Sequence, residues 1–254
     1  LALPAPAARA EADDALTRAM DASLDTRLAY VLTGDAQVDD TSAAGLAGLG
    51  NFLRAHTAVE PGEPMALNIE SDDLSLYPLI YWPVLPNAPE PSAAALARLD
   101  AFMKHGGTLF LDTREPDGLP DGTDSPAAAA LKRILARLDI PPLEPVPEGH
   151  VLTKTFYLLQ SFPGRYADAR LWVETPDAGQ DGDGVSTILI GGNDYAAAWA
   201  QDSLGAPLYP AVPGGEPQRE LAFHSGVNIV MYTLTGNYKA DQVHVPALLE
   251  RLGQ

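Results

Sequence analysis

The chain contains no cysteine, and this absence removes several kinds of chemistry at once. Without thiols it can form no disulfide, no thiolate metal site and no thioester, so amidotransfer from glutamine through a cysteine nucleophile is excluded. The absence leaves the cellular compartment open, because a cysteine-free chain suits an oxidising periplasm as well as the cytosol.

Basic residues are also scarce. The sequence has 16 Lys and Arg against 34 Asp and Glu, which gives a formal net charge of -18. A field of this sign repels nucleic acids and anionic lipid headgroups, so we predict neither as a partner. The charges are spread along the chain without a block of five or more of one sign, which favours a solvated acidic surface over an acidic docking tail.

Several catalytic and cofactor motifs are missing as well. The glycines at Gly34 and at Gly191-Gly192 match neither a dinucleotide fingerprint nor a Walker loop, and no G-x-S-x-G elbow is present. The five histidines lack the short spacings of zinc sites, and the acidic stretch 177–184 lacks the spacing and closing Glu of a calcium loop. We therefore predict no cofactor and no metal, and we interpret 177–184 as a turn between two strands.

Strand-like and helix-like segments alternate along the 254 residues, of which 46% are hydrophobic. This alternation predicts an α/β fold of three layers, with helices on both faces of a mostly parallel sheet. We expect a single domain over 26–254, preceded by a linker and short helix at 1–25. The predicted strands are 27–33, 64–69, 76–84, 108–112, 169–174, 185–190 and 227–234, and the predicted helices are 12–24, 42–55, 92–105, 125–138 and 195–201. The first, third, fourth and sixth strands are expected to be neighbours.

Polar residues follow the ends of these strands. Because the carboxyl ends of parallel strands meet at one edge of a sheet, ligands of open α/β sheets bind there. We expect Asp35, Asp112, Arg114 and Asn193 to converge in one cleft with His150. The full set of ligand-pocket candidates is Asp35, Trp82, Asp112, Arg114, His150, Tyr157, Asn193, Asp194 and Asn237.

For the candidates after the fourth and sixth strands, the sequence leaves two interpretations open. Asp112 and Arg114 offer a carboxylate and a guanidinium to a polar ligand; alternatively, Asp112 pairs with Arg114 or caps local backbone. Asn193 and Asp194 lie where the helix at 195–201 begins, so helix N-capping is the alternative to ligand binding.

His150 is the most informative of the histidines, because Thr153, Thr155 and Tyr157 alternate in the segment that it opens. An imidazole in this position is able to act as a general base or to hydrogen-bond a ligand. The alternative is a purely structural hydrogen bond beside Gly149.

The first ten residues, LALPAPAARA, are rich in Ala and Pro and too short to span a bilayer. Ala8-Arg9-Ala10 has the small-x-small form of a signal-peptidase site that follows an apolar region. An Ala/Pro linker without any processing is the alternative.

Several segments together resemble one bacterial family, the domain of unknown function 4159. They are 30–35 (YVLTGD), 77–83 (YPLIYWP), 106–112 (GGTLFLD), 150–159 (HVLTKTFYLL), 161–165 (SFPGR), 191–200 (GGNDYAAAWA), 218–220 (QRE) and 226–244. The resemblance covers nearly the whole chain and implies a flavodoxin-like, class I glutamine amidotransferase-like fold. Where such a domain presents its nucleophile, this chain has Asp112, Thr113 and Arg114.

The same resemblance implies a cellular setting. Such domains look like the C-terminal part of large envelope proteins of Gram-negative bacteria, whose N-terminal part resembles an aerotolerance-type membrane region. We therefore expect residues 1–10 to be a linker after a membrane span. The domain would lie on the periplasmic side of the inner membrane, anchored by sequence that precedes Leu1.

Two functions of different class are compatible with these residues. The first is a non-catalytic, soluble domain of a membrane-anchored envelope protein that binds a small polar ligand or a protein partner in the cell envelope. The second is a hydrolase-like enzyme that acts on a polar or sugar-derived substrate through His150 with Asp112 or Asp35. A deep pocket in which carboxylate and imidazole converge would favour the second.

Overall fold

The structure is a computed structural model that describes residues 26–115, 125–175 and 186–252, with side chains as far as residue 235. The predicted linker and helix within 1–25 and the predicted turn at 177–184 lie outside the described residues. The side chain of Asn237 lies outside them as well.

The described strands form one seven-stranded sheet in the order β2-β1-β3-β4-β7-β6-β5. The strands β2, β1, β3, β4 and β7 run parallel, while β6 and β5 extend the sheet as antiparallel strands. The predicted mostly parallel α/β fold is confirmed, and the four strands expected to be neighbours are consecutive in the sheet. The strand bounds are β1 Ala29–Val31, β2 Met65–Leu67, β3 Leu79–Pro83, β4 Thr108–Asp112, β5 Leu143–Pro145, β6 Trp172–Glu174 and β7 Ile188–Gly191.

Helices cover both faces of the sheet, and side-chain caps begin three of them. The Asp35 carboxylate accepts hydrogen bonds from the backbone of Gln37 and Val38, and Ser92 and Ser125 cap their helices in a similar way. The described α-helices are α1 Ala36–His56, α2 Ala93–Lys104, α3 Pro126–Leu135, α4 Tyr195–Trp199 and α5 Gly215–Leu252.

The sheet buries both of its faces, which produces two hydrophobic cores. Successive residues of β4 point to opposite faces, so Phe110 packs with side chains of α1, α4 and α5. Leu109 and Leu111 pack with side chains of α2 and α3 on the other face. Parallel strands of this kind are buried on both sides, which accounts for their apolar sequences.

Two glycines allow α1 to pack directly against the backbone of α4. A Cβ atom on Gly45 would overlap the carbonyl oxygen of Ala196, and one on Gly48 would overlap that of Trp199. The close approach fixes the short helix that begins immediately after Asn193 and Asp194.

The predicted strand at 227–234 is wrong, because these residues belong to α5. Val227, Ile229, Val230 and Tyr232 are all buried, so the segment has no alternation of buried and exposed residues. Such a run does not distinguish a buried strand from a buried helix, and its β-branched residues favoured the strand. Residues 235–237 consequently follow no strand, and the reason for placing Asn237 at the sheet edge is removed.

Candidate functional site

The candidate site lies at the carboxyl edge of the sheet, where β4 and β7 end side by side. Asp112 pairs in register with Gly191, so the residues that follow the two strands meet. Arg114 Nε lies 3.1 Å from Asp194 Oδ1, and the two side chains form an ion pair. The structure therefore places Asp112, Arg114, Asn193 and Asp194 at one position.

The backbone at this position is unusual. Arg114 has a φ of 59° and Asp194 a φ of 52°, and they are the two residues other than glycine with positive φ in the described part of the chain. A left-handed conformation costs a non-glycine residue roughly 1–2 kcal/mol. Residues held in this way concentrate at functional sites, where the surrounding structure maintains the strain.

Asp112 is fully buried, and its carboxylate accepts three hydrogen bonds. Oδ2 accepts from the hydroxyl of Tyr81 and the backbone N–H of Tyr195, each at 2.8 Å, and Oδ1 accepts from the backbone N–H of Arg114 at 2.9 Å. Burial raises the pKa of Asp112 to about 6, and the charge of Asp194 acts in the same direction. Of the interpretations left open by the sequence, the one in which Asp112 caps local backbone describes its contacts. Arg114 forms its ion pair with Asp194 and not with Asp112.

Asp194 is the centre of a charged cluster. Its carboxylate lies 3.1 Å from Arg114 Nε and 3.4 Å from Arg165 Nη1, and the side chain is only 3% exposed. Asp194 occupies the N-cap position of α4, but its side chain makes no capping hydrogen bond. The predicted N-cap is therefore correct in position, while the carboxylate serves the two arginines.

Arg165 reaches the cluster from an irregular loop. Its guanidinium lies over the rings of Tyr166 and Tyr209, at 5.3 and 5.2 Å from their centroids. Its Nε is buried without a hydrogen-bond partner among the described residues. The side chains of Arg165 and Arg114 remain 26% and 27% exposed.

Gln218, near the start of α5, holds the loop that carries Arg165. Its amide nitrogen donates to the carbonyl oxygens of Gly164, Arg165 and Val212 at 2.9–3.0 Å. Its amide oxygen accepts from the backbone N–H of Gly214 at 2.9 Å. Since all of these atoms are backbone atoms, this buried side chain helps to hold the Arg165 backbone, together with backbone hydrogen bonds to Asp194 and Val212.

Asn193 joins the site to the segment that follows Arg165. Its amide donates to the carbonyl oxygens of Phe162 and Ala169, at 3.0 and 2.8 Å, and accepts from the N–H of Ala169 at 3.0 Å. Tyr195 donates its hydroxyl to the same carbonyl of Phe162 at 2.7 Å. Asn193 is fully buried, so its role is to position backbone.

His150 contacts the backbone of Leu152 and the ring of Tyr232. Its Nδ1 accepts a hydrogen bond from the N–H of Leu152 at 3.2 Å, and its ring packs against Tyr232 with centroids 5.7 Å apart. Burial lowers the pKa of His150, while the charge of Glu144 opposes that shift. Within the described residues no hydrogen bond or ion pair joins His150 to Asp112 or Asp35.

The remaining candidates have separate environments. Asp35 caps α1, and Trp82 lies inside β3, where it is buried in the core shared with α2 and α3. Tyr157 stacks on His224 with ring centroids 3.8 Å apart, and its backbone is held by Asn228. These contacts identify structural roles for all three side chains.

Sequence reasoning missed Tyr81, Arg165 and Gln218 as parts of the site. Arg165 and Gln218 each lie within a segment that carries the family resemblance, which was the available signal. Neither follows a strand, so a search of strand ends does not find them.

The described residues contain no group of three or more His, Asp and Glu side chains arranged to hold a metal ion. No helix in the described portion combines the length and apolar character needed to cross a bilayer.

Fold and site together define a three-layer α/β domain with a carboxylate and two arginines at the carboxyl edge of its parallel strands. A profile of the family described as a domain of unknown function (DUF4159) matches residues 27–234, and the chain belongs to that family. No curated protein matches the chain.

Proposed function

We propose that this chain is a non-catalytic binding domain, and that its carboxyl-edge site takes a small polar ligand with an anionic group. The observation that carries the proposal is the pair of partly exposed arginine side chains whose guanidinium groups are held on Asp194. Arg114 uses Nε and Arg165 uses Nη1 for this contact, which leaves other N–H donors of both groups without a protein acceptor among the described residues. Planar guanidinium donors match the two oxygens of a carboxylate or phosphate.

The surroundings of the carboxylates support binding over catalysis. Asp112 is fully buried with its hydrogen bonds satisfied inside the protein, and Asp194 is neutralised by two arginines. A general base needs to reach the proton that it removes, and neither group is placed to meet a ligand directly. The position of His150 offers no support for the hydrolase-like alternative, which required it to act with Asp112 or Asp35.

The setting that we propose is the periplasmic side of the inner membrane, with an anchor in sequence preceding Leu1. The family resemblance and the Ala/Pro-rich start support it. A protein partner in the envelope is the other ligand class compatible with a binding domain. A reporter fused after Gln254 should be active only outside the cytoplasm, and activity confined to the cytoplasm would contradict the proposed side.

Titration of the isotope-labelled domain with succinate and with inorganic phosphate tests the binding site. We expect saturable NMR shifts around Arg114 and Arg165, because each arginine hydrogen bond to an anion contributes about 1.5–3 kcal/mol. Arg114→Gln and Arg165→Gln should each weaken binding about tenfold or more. Arg137→Gln is the matched control, since Arg137 also forms a partly exposed ion pair, at 3.4 Å from Glu90.

Succinamide, which has the shape of succinate without its charge, should not bind. Equal binding of succinamide, or equal loss of affinity in Arg137→Gln, would contradict an anion site at this edge. A change in the spectrum of the free variants throughout the domain would instead report misfolding, and Arg→Lys variants then provide the comparison.

A further inference from the structure

A cavity is lined by residues that precede and follow the Arg165 loop in sequence. Its volume is about 920 Å³, and its walls come from three stretches of chain, 145–149, 159–162 and 167–171, together with Thr153. Pockets that hold small molecules have volumes of about 300–1,000 Å³. None of the sequence candidates for ligand binding lines this cavity.

Buried hydrogen bonds fix the walls of the cavity. Asn193 connects Phe162 to Ala169 through its amide, and the N–H of Val146 donates to the carbonyl of Leu171 at 2.9 Å. The N–H of Leu159 donates to the carbonyl of Thr153 at 2.8 Å. A cavity held open in this way costs a ligand little ordering of the protein.

Six polar side chains line the cavity, and one of them, Thr153, donates its hydroxyl to the carbonyl of His150 at 2.7 Å. The other five belong to exposed residues. In the described parts of the chain none of them forms a hydrogen bond or ion pair with another residue, so all are available to a ligand. They are Glu148, Gln160, Ser161, Asp168 and Arg170. Asp168 and Arg170 are two residues apart, which limits the distance between their Cα atoms to about 7 Å. The two charged side chains therefore start from neighbouring backbone positions, and among the described residues no ion pair joins them.

This combination of charges restricts the ligand. A simple anion would meet the repulsion of Asp168 and Glu148, and a simple cation would meet that of Arg170. A neutral sugar would desolvate all three charges without pairing any of them. A zwitterion offers a partner of opposite charge to both the positive and the negative side chains. The volume of the cavity exceeds what a single amino acid needs.

We propose that this cavity is a binding site for a short peptide with free termini. Arg170 binds its carboxylate, Asp168 or Glu148 binds its ammonium group, and Gln160 and Ser161 hydrogen-bond its amide. Neither arginine of the anion site lines this cavity, although Asn193 and Tyr195 both hydrogen-bond the carbonyl of Phe162 in its wall.

Titration of the isotope-labelled full chain with alanyl-alanine tests this proposal. Saturable NMR shifts are expected at residues 145–149, 159–162 and 167–171. Arg170→Gln and Asp168→Asn should each weaken dipeptide binding at least tenfold, as measured by these shifts, whereas Arg137→Gln should leave its affinity unchanged. Both cavity residues are exposed, so their variants should keep the spectrum of the folded domain elsewhere.

Two ligand controls accompany the titration. N-acetyl-alanyl-alanine amide, which has neither terminal charge, and glucose should not produce these shifts. Equal binding of the blocked dipeptide would show that the site does not require charged termini. Binding of glucose but not of the dipeptide would show that the ligand is not a peptide. Loss of dipeptide binding in Arg137→Gln, or no saturable shift at the cavity residues at millimolar dipeptide, would overturn the site.

Discussion

Arg114 and Asp194 both adopt left-handed backbone conformations, and their side chains form an ion pair of 3.1 Å across the ends of β4 and β7. The two strands are adjacent and parallel, so each backbone bend turns its side chain toward the other strand end. Since both residues carry a conformational cost, the ion pair and the hydrogen bonds of Asp112 offset strain on two strands at once.

The left-handed backbone at residue 114 predicts an uncommon order of stability for two truncations. Arg114→Gly and Arg114→Ala both remove the ion pair, but only alanine keeps the cost of positive φ. The glycine variant should therefore be more stable than the alanine variant by about 1 kcal/mol. Urea unfolding of both variants measures the difference. Alanine is normally the better residue in a regular segment, so a more stable alanine variant would exclude the left-handed conformation.

The buried Asp112 should make stability depend on pH in the acidic range. Its pKa in the folded state, about 6, lies above the ordinary value of 3.8, so the folded protein holds this proton more tightly than the unfolded chain. The resulting contribution, about 2–3 kcal/mol, is complete below pH 4 and is lost as the pH rises through 6. Between pH 4 and pH 6, the unfolding free energy of the wild type should fall relative to that of Asp112→Asn.

Asp194→Asn provides an independent test of what raises the pKa of Asp112. Burial is the larger reason for the raised pKa of Asp112, and the charge of Asp194 is the second. Removing that charge should lower the pKa of Asp112 without returning it to the ordinary value. Carbon-13 NMR of the aspartate carboxyl groups measures the pKa of Asp112 in the wild type and in the variant. An Asp112 that titrates near pH 4 in the wild type would contradict the buried environment.

The contact between α1 and α4 predicts opposite effects for two glycines of one helix. Gly45→Ala should destabilise the domain by about 1–3 kcal/mol, because its Cβ would overlap the backbone of Ala196. Gly50→Ala is the control, since the nearest atom to its Cβ would be Arg54 Nη1 at 3.8 Å. Alanine favours a helix over glycine by about 1 kcal/mol, so this variant should be neutral or more stable. Equal thermal shifts for the two variants would rule out the close approach.

Much of the fold could be predicted because local signals agree with the tertiary structure. β4 begins at Thr108 and ends at Asp112, as predicted, since two glycines precede a short apolar run and a charged residue ends it. Alternation with helices then gave the parallel order, and the parallel order correctly brought Asp112 and Arg114 to the same edge as Asn193 and Asp194.

The rest of the site depends on contacts that are distant in sequence. Arg165 lies in an irregular loop that is held by Gln218, 53 residues later in the chain, and by backbone hydrogen bonds to Asn193 and Asp194. The run at 227–234 is mostly buried, so hydrophobicity alone could not distinguish the helix from a strand. The assignment of His150 to a ligand cleft used only its polar neighbours, whereas its packing is determined by Tyr232 of α5.

The role of Gln218 leads to a prediction in which pH distinguishes two variants. Gln218→Ala removes the side-chain donor of three carbonyl oxygens, of which only that of Arg165 has a second donor among the described residues, the N–H of Val212. The variant should therefore destabilise the domain by about 2–3 kcal/mol. Gln218→Glu keeps the shape but places a carboxylate against the same oxygens, so at neutral pH it should be at least as destabilising. The introduced carboxyl would be buried beside acceptors, which raises its pKa above the unfolded value.

Its protonated form then donates to one of these oxygens, so Gln218→Glu should regain stability relative to Gln218→Ala as the pH falls from 7 toward 4. Urea unfolding of both variants at a series of pH values measures this difference. A constant difference between the two variants would show that residue 218 does not donate to the carbonyl oxygens of the Arg165 loop. Loss of succinate binding in both variants, with Arg114 itself intact, would connect the position of this loop to the anion site.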